Sequence, residues 1–364
     1  MFTINNIDAI DSPALIIDLQ KVRNNILLAK EIAGDVTRLR PHAKTNKITE
    51  VNKMMIEEGI SKFKCATIAE AEMLAQAGAS DVLLAYQPVG PKIDRWLNLV
   101  KTYPATRWAC LVDNKKSAGA IDVAADRSSS TLNVFIDINI GMNRTGVHPS
   151  EAVDLAKYIL AKNHLRLAGL HGYDGHIHDT GRQQRQQAAD VSFALFDKAS
   201  QAINSLSNNR LIAVLGGTPT FPVHVRRQNV ECSPGTFVFW DEGYRRLFPD
   251  LLFQCAACIV GRVISVINNH LLCVDIGYKS VASENPLPRI YFPDTPEIKP
   301  VAHSEEHLVV EVPDSRYYPA GSVLYGIPEH ICPTVALYEK VFVVSGNNIK
   351  TSWKVIARDR CINI

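Results

Sequence analysis

The chain has 364 residues, 46% of them hydrophobic and 21% charged, enough to bury a large core under an ordinary polar surface. Lys and Arg total 39 against 37 acidic residues, and a net charge of +2 gives no electrostatic footprint for nucleic acid or an anionic membrane. No apolar run approaches the ~18 residues of a spanning helix, the first twenty residues carry no basic leader, and eight cysteines are too dilute for a disulfide scaffold, so a cytoplasmic protein with free thiols and a small-molecule partner is expected.

In chain order, Asp18 is a candidate N-cap for a helix with Val22, Ile26, Ala29 and Ala33 on one face and Gly34 as its stop. Short apolar runs then recur at Val36–Arg40, Lys62–Ala66, Asp81–Tyr86, Arg107–Val112, Leu132–Ile138, Leu165–His171, Leu211–Gly216 and Asn229–Ser233. Nearly all are separated by stretches long enough for a crossover helix, including Ile68–Ala77, closed by Gly78, and Thr180–Ser205. Eight such units predict a (β/α)₈ TIM-type barrel, with a doubly wound open sheet as the structural alternative. From Asp241 onward the pattern turns to β segments at Gln254–Val266, His270–Asp275, His307–Val312, Lys340–Ser345 and Trp353–Ala357, none followed by a clear helix. The expected organisation is α/β: a barrel over residues 10–240 and a mostly antiparallel β domain over 241–364, which residues 1–9 could join.

Active sites of such barrels gather at the C-terminal ends of the strands. There the sequence puts RPHAKTNK, with His42 and Lys44; GMNRTG, with Arg144; HGYDGHIH, with His171, Tyr173, His176 and His178; GGTPT, with Gly216, Gly217 and Thr218; and SPGT, with Gly235 and Thr236. Two Gly/Thr turns after strands seven and eight suit a phosphate monoester, since glycine lets backbone N–H groups approach an anion and threonine adds a hydroxyl donor. Lys44 is the obvious nucleophile for a Schiff base, and a lysine opposite a phosphate grip is what pyridoxal phosphate requires. Cys255 and Cys258 form a CxxC inside an apolar run, which reads as buried core.

The segments SPALIIDLQKVRNNI, RPHAKTNK, ATIAEAEMLAQAG, IDINIGMNRTG, GYDGH, GGTPT and PEHICPT together resemble the fold-type III pyridoxal-phosphate enzymes of the D-threonine aldolase and D-serine dehydratase family, over essentially the whole chain. The resemblance implies an alanine-racemase-type barrel plus a β domain, with Lys44 as cofactor carrier, Arg144 at the ring oxygen, His42 and Tyr173 lining the cofactor, and Gly216, Gly217, Thr218, Gly235 and Thr236 at the phosphate. It also points to His330 and Cys332, which on an extended segment would project to the same side and share a divalent cation. The soft thiolate favours zinc over manganese or magnesium.

Where many members of the family have KTHK, this chain has Lys44-Thr45-Asn46-Lys47, so a role the family gives that histidine has no bearer here. The implied reaction is retro-aldol cleavage of a D-3-hydroxy-α-amino acid to glycine and an aldehyde, with His176 as candidate base. The alternative is elimination by a D-serine dehydratase-like or D-3-hydroxyaspartate dehydratase-like enzyme to a keto acid and ammonia. Two further alternatives are an amino-acid racemase using Tyr317, Tyr318 or Tyr325, and a non-catalytic pyridoxal-phosphate-binding protein. A homodimer is implied.

Overall fold

The structure, a computed structural model, describes residues 4–206 and 210–364. The chain forms two compact units. One comprises Ala29–Lys44, Thr49–Gly235 and Asp359–Ile364; the other comprises the residues up to Leu28, Thr45–Ile48 and Thr236–Arg358.

The first strand, β1 (Ala14–Asp18), belongs to the second unit. The barrel unit holds seven parallel strands paired in sequence order: β2 (Lys62–Cys65), β3 (Asp81–Leu84), β4 (Arg107–Val112), β5 (Leu132–Ile138), β6 (Leu165–Gly172), β7 (Ile212–Leu215) and β8 (Val230–Cys232). The helices up to this point are α1 (Leu19–Ala33), α2 (Thr49–Glu57), α3 (Ile68–Ala77), α4 (Lys92–Thr102), α5 (Lys115–Arg127), α6 (Ala152–Leu160), α7 (Arg182–Asn204) and α8 (Phe221–His224). The expected start of α1 holds, with Asp18 Oδ1 accepting from Lys21 N at 3.1 Å, and its predicted face is buried. Thr67 caps α3 through Glu70 N, and Gly78 ends it at φ +94°, where a side chain would be strained.

The strand expected at Val36–Arg40 does not form. The Asp35 side chain accepts from Thr37 N and turns Val36–Arg38 into a 3₁₀ helix, because a short acidic side chain offers the backbone a local alternative to a ladder. Residues 39–43 close the barrel all the same. Arg40 N donates to Cys232 O (2.9 Å), His42 N to Pro234 O (3.0 Å), Ala43 N to Lys64 O (2.8 Å), and Lys64 N to Pro41 O (2.8 Å). Leu83, Ala109, Leu111, Phe135 and Val214, from β3, β4, β5 and β7, pack together as one apolar cluster. On the β2 and β8 side the interior is ionic: buried Arg40 reaches Glu231 (2.7 Å) and Asp81 (2.6 Å), and Lys62 pairs with Glu231.

The second unit continues with α9 (Glu242–Leu247), β9 (Ala257–Asn268), β10 (Leu271–Val274), β11 (Ile290–Tyr291), β12 (Lys299–His303), β13 (Leu308–Glu311), β14 (Val323–Pro328), α10 (Ile331–Val335), β15 (Lys340–Ser345) and β16 (Asn348–Lys354). Its main sheet runs β12-β13-β10-β9-β1-β15-β16, with β14 paired to both β9 and β11. β1, in the stretch expected to open the barrel, pairs antiparallel with β9 and parallel with β15. The sheet is otherwise antiparallel, as expected, but α9 and α10 were not foreseen. Among the described residues no helix is long and apolar enough to cross a membrane.

Candidate active site

Three cationic side chains of the barrel unit meet at one aromatic ring. Lys44 Nζ lies 5.9 Å from the Tyr173 ring centroid, Lys64 Nζ 5.6 Å and Arg144 Cζ 5.2 Å. Lys44 follows the barrel-closing segment, Arg144 follows β5 and Tyr173 follows β6, so all converge at the C-terminal ends of the strands. Half-buried His42 accepts from Lys44 N through Nδ1 at 3.2 Å. Two glycines let the tyrosine ring settle: a Cβ on Gly175 would stand 2.2 Å from it, and one on Gly217 3.2 Å.

Lys64 did not emerge from the sequence as a site residue, since a lysine in a short strand reads as a solvated edge. It is 2% exposed. Its Nζ is 3.4 Å from His171 Nε2, and His171 Nδ1 is 2.7 Å from Asp137 Oδ1. Asp137 also accepts from Thr145 Oγ1 at 2.9 Å and Gln87 Nε2 at 3.1 Å. Burial alone would raise the Asp137 pKa, but the bonds from His171, Thr145 and Gln87 hold it below the ordinary carboxylate value. Burial, and then the charge of Lys44, bring the Lys64 pKa down from 10.5 to about 7. His171 is likewise lowered, by burial first and the charge of Lys64 second.

The Gly216–Thr218 turn is braced from behind by a buried pair that the sequence did not reveal. Asp174 Oδ2 is 2.7 Å from His224 Nε2, and its Oδ1 accepts from Thr220 Oγ1 at 2.9 Å. Thr220 Oγ1 in turn receives Gly217 N at 3.3 Å, while Thr218 Oγ1 receives Gly235 N at 2.9 Å and so ties the two Gly/Thr turns together. Gly216 adopts φ +75°, a conformation glycine supplies without strain. Just beyond β8, Ser233 Oγ is buried with no hydrogen-bond partner among the described residues, a polar atom ready for a group held in the barrel. A lysine amine, an arginine, a flat aromatic ring, a glycine-threonine turn and an orphaned hydroxyl together form a donor set that fits pyridoxal phosphate.

The remaining expected residues have other surroundings. His176 is exposed and lies against Gly141, where a Cβ would come within 2.8 Å of its Nε2; His178 is also exposed. Thr236 belongs to the second unit, with Oγ1 3.4 Å from Cys332 Sγ. Thr45 Oγ1 lies 3.2 Å from the same sulfur. The segment carrying His330 and Cys332 is not extended as expected: His330 is the extended N-cap and Cys332 lies in the helical turn of α10. The two side chains interact nonetheless. Burial would lower the His330 pKa, but hydrogen bonding to Cys332, the charges of Cys332 and Asp241, and a 2.5 Å contact of Nδ1 with Glu284 raise it to about 9. A carboxylate on Nδ1 is the arrangement that orients metal-binding histidines. No group of three or more His, Cys, Asp or Glu suited to a metal occurs among the described residues. Cys255 and Cys258 are buried, and burial raises both thiol pKa values, that of Cys255 to about 12.

A cavity of about 330 Å³ in the barrel unit, lined by Tyr86, Lys92, Arg95 and Arg360 among others, contains none of these residues.

Parallel barrel, a cluster of lysines and an arginine about one aromatic ring, and a β-rich second unit together define a class, the alanine-racemase-like pyridoxal-phosphate enzymes. Residues 17–242 match the family described as alanine racemase, N-terminal domain, and residues 256–344 the putative serine dehydratase domain, so the chain belongs to this family and is a pyridoxal-phosphate-dependent lyase. It is 29% identical to a 3-hydroxy-D-aspartate aldolase of Paracoccus denitrificans (strain Pd 1222), over 96% of this chain and 93% of the relative. It is 25% identical to a D-threonine aldolase of Arthrobacter sp, with 96% and 93% covered. The crystal structure of D-threonine aldolase from Filomicrobium marinum superposes with a TM-score of 0.89 at 26% identity, covering 98% of each chain.

Proposed function

We propose that the protein cleaves D-3-hydroxy-α-amino acids by a retro-aldol reaction to glycine and an aldehyde. The observation that carries this reading is the convergence of Lys44 and Arg144 on the Tyr173 ring, in a chain whose relatives include aldolases for 3-hydroxy-D-aspartate and D-threonine. When bound, pyridoxal phosphate withdraws the electron pair of the bond broken at the substrate's α-carbon.

Lys44 holds the cofactor and yields it to the substrate amine; His42 Nδ1 fixes the backbone N–H of Lys44. Arg144 carries positive charge to the cofactor's ring oxygen, and Tyr173 gives the ring a flat wall. Gly216, Gly217, Thr218, Gly235 and Thr236 hold the phosphate. His330 and Cys332 would hold a divalent cation, zinc by the softness of the thiolate, which would supply Lewis-acid chemistry for a hydroxyl group. His176 takes the hydroxyl proton. A homodimer in the cytoplasm completes the reading.

Cys332 favours one second reading. It stands where, in the family the sequence resembles, dehydratases carry cysteine and aldolases usually aspartate, and the relatives also include a D-threo-3-hydroxyaspartate dehydratase of Delftia sp. (strain HT23), 23% identical. In that case α-proton removal and loss of hydroxide leave an enamine, which water hydrolyses to a keto acid and ammonia. Purified protein supplied with pyridoxal phosphate and zinc should release glycine from D-threonine and D-3-hydroxyaspartate. Ammonia and a keto acid without glycine would replace the aldolase reading by the dehydratase one. An imine absorbance band that survives Lys44→Ala would remove Lys44 from its role.

A further inference from the structure

Lys64 has no part in the reading above, yet it is the most deeply buried amine near Lys44. It faces Lys44 and Arg40 from the barrel-closing segment, Asp137 from β5, His171 from β6 and Asp174 just beyond it. Asp137, held as a carboxylate, can only accept, so the hydrogen on His171 Nδ1 points at it and Nε2 presents a lone pair to Lys64. A neutral Lys64 amine donates one N–H to that lone pair. Its own lone pair then points away from His171, on a side chain that faces the same Tyr173 ring as Lys44.

We propose that Lys64 is the proton acceptor for amine exchange at Lys44, an inference that rests on Lys44 being the cofactor's carrier. A substrate arrives as an ammonium ion and must become a free amine to displace Lys44. One N–H bond of the ammonium breaks and one forms on Lys64 Nζ, so the positive charge passes to Lys64. The substrate's other two N–H hydrogens are transferred to Lys44 Nζ as the carbon–nitrogen bond to the substrate forms and that to Lys44 breaks. Lys64 then returns its proton to Lys44, and three hydrogens have entered on the substrate nitrogen and left on Lys44 with no net charge gained. Asp137, through His171, offsets the transient charge on Lys64. A lysine with its pKa drawn to about 7 is half deprotonated at neutral pH, as this role requires.

The test mixes the holoprotein with saturating D-alanine, which has no β-hydroxyl to cleave, between pH 5.5 and 9. Borohydride stops the exchange, and mass spectrometry counts the cofactor remaining on the Lys44 peptide. The wild-type exchange rate should rise through a midpoint well below the ordinary lysine value of 10.5. Lys64→Met and Lys64→Arg should both be at least tenfold slower at pH 7.5 and lack that midpoint, because arginine keeps the charge but cannot accept a proton. A wild-type rate and profile in either variant overturns the proposal. So does a wild-type profile without the midpoint, which needs no variant to fold. If borohydride fixes no cofactor on the wild-type Lys44 peptide, the carrier assignment itself fails, a result distinct from either of these.

Discussion

Lys64→Met should stabilise the protein, and more so at pH 6 than at pH 8.5. In the folded chain Lys64 titrates near 7 instead of 10.5. Each unit of displacement is worth about 1.4 kcal/mol, so holding the charged form buried costs about 5 kcal/mol well below pH 7. Between the two pKa values the unfolded chain binds more protons than the folded one, so stability rises with pH in that window. By the same linkage the cost falls to about 3 kcal/mol at pH 8.5. Methionine keeps an unbranched apolar stem but leaves His171 Nε2 without its lysine donor, a loss of about 1–3 kcal/mol that does not depend on pH in this range. The variant should therefore gain about 2–4 kcal/mol at pH 6, and the advantage should shrink by about 2 kcal/mol by pH 8.5. Other groups slope the wild-type curve, notably His330, whose raised pKa adds stability below 6.5 that is lost as pH climbs through about 9. The His330 slope is common to both proteins and cancels in the difference. Urea unfolding of both proteins at pH 6, 7 and 8.5 measures it; a difference that does not vary with pH refutes the buried, deprotonating lysine.

Asp174→Asn should cost about 1–3 kcal/mol by disturbing the buried hydrogen bonds that join Asp174 to His224 and Thr220. Because the Asp174 pKa is lowered, the wild type draws stability from it above the ordinary carboxylate value and loses it as pH falls through the folded pKa; the variant's denaturation curves between pH 5 and 3 should be correspondingly flatter. Gly169→Ala should destabilise by about 2–3 kcal/mol, since the new Cβ would lie 2.2 Å from Phe135 Cε1 and 2.4 Å from the Ile212 carbonyl oxygen; an unchanged melting temperature would contradict that crowding. Cys361 is the exposed cysteine of the eight, so Cys361→Ser should abolish the fast phase of thiol titration with a disulfide reagent in the native protein.

The barrel was legible because its signal is local. Arg107–Val112 and Leu132–Ile138 are short apolar runs, and the α3 cap and stop residues act within a turn of themselves. β1 was missed because ALIID is apolar on both faces and its partners, β9 and β15, lie more than two hundred residues away. The resemblance picked out Lys44, Arg144 and Tyr173, which the structure brings together. It could not pick out Lys64: Lys62 and Lys64 look alike in KFKC, and only the closed barrel sets one against Glu231 and the other against His171. Asp137 and Asp174 are hidden for the same reason, since their partners come from other elements, His171 from β6 and His224 from α8.

The segment that closes the barrel is also the one that carries Lys44. It is held to β8 and β2 by a handful of backbone bonds, where β4 and β5 share a continuous ladder. A hoop with one thin stave opens there first, so the amides of Arg40, His42 and Ala43 should exchange with deuterium well before those of β4 and β5. In the reaction proposed for this chain, the residue that releases and recaptures its cargo would ride on this thinly bonded segment of the ring.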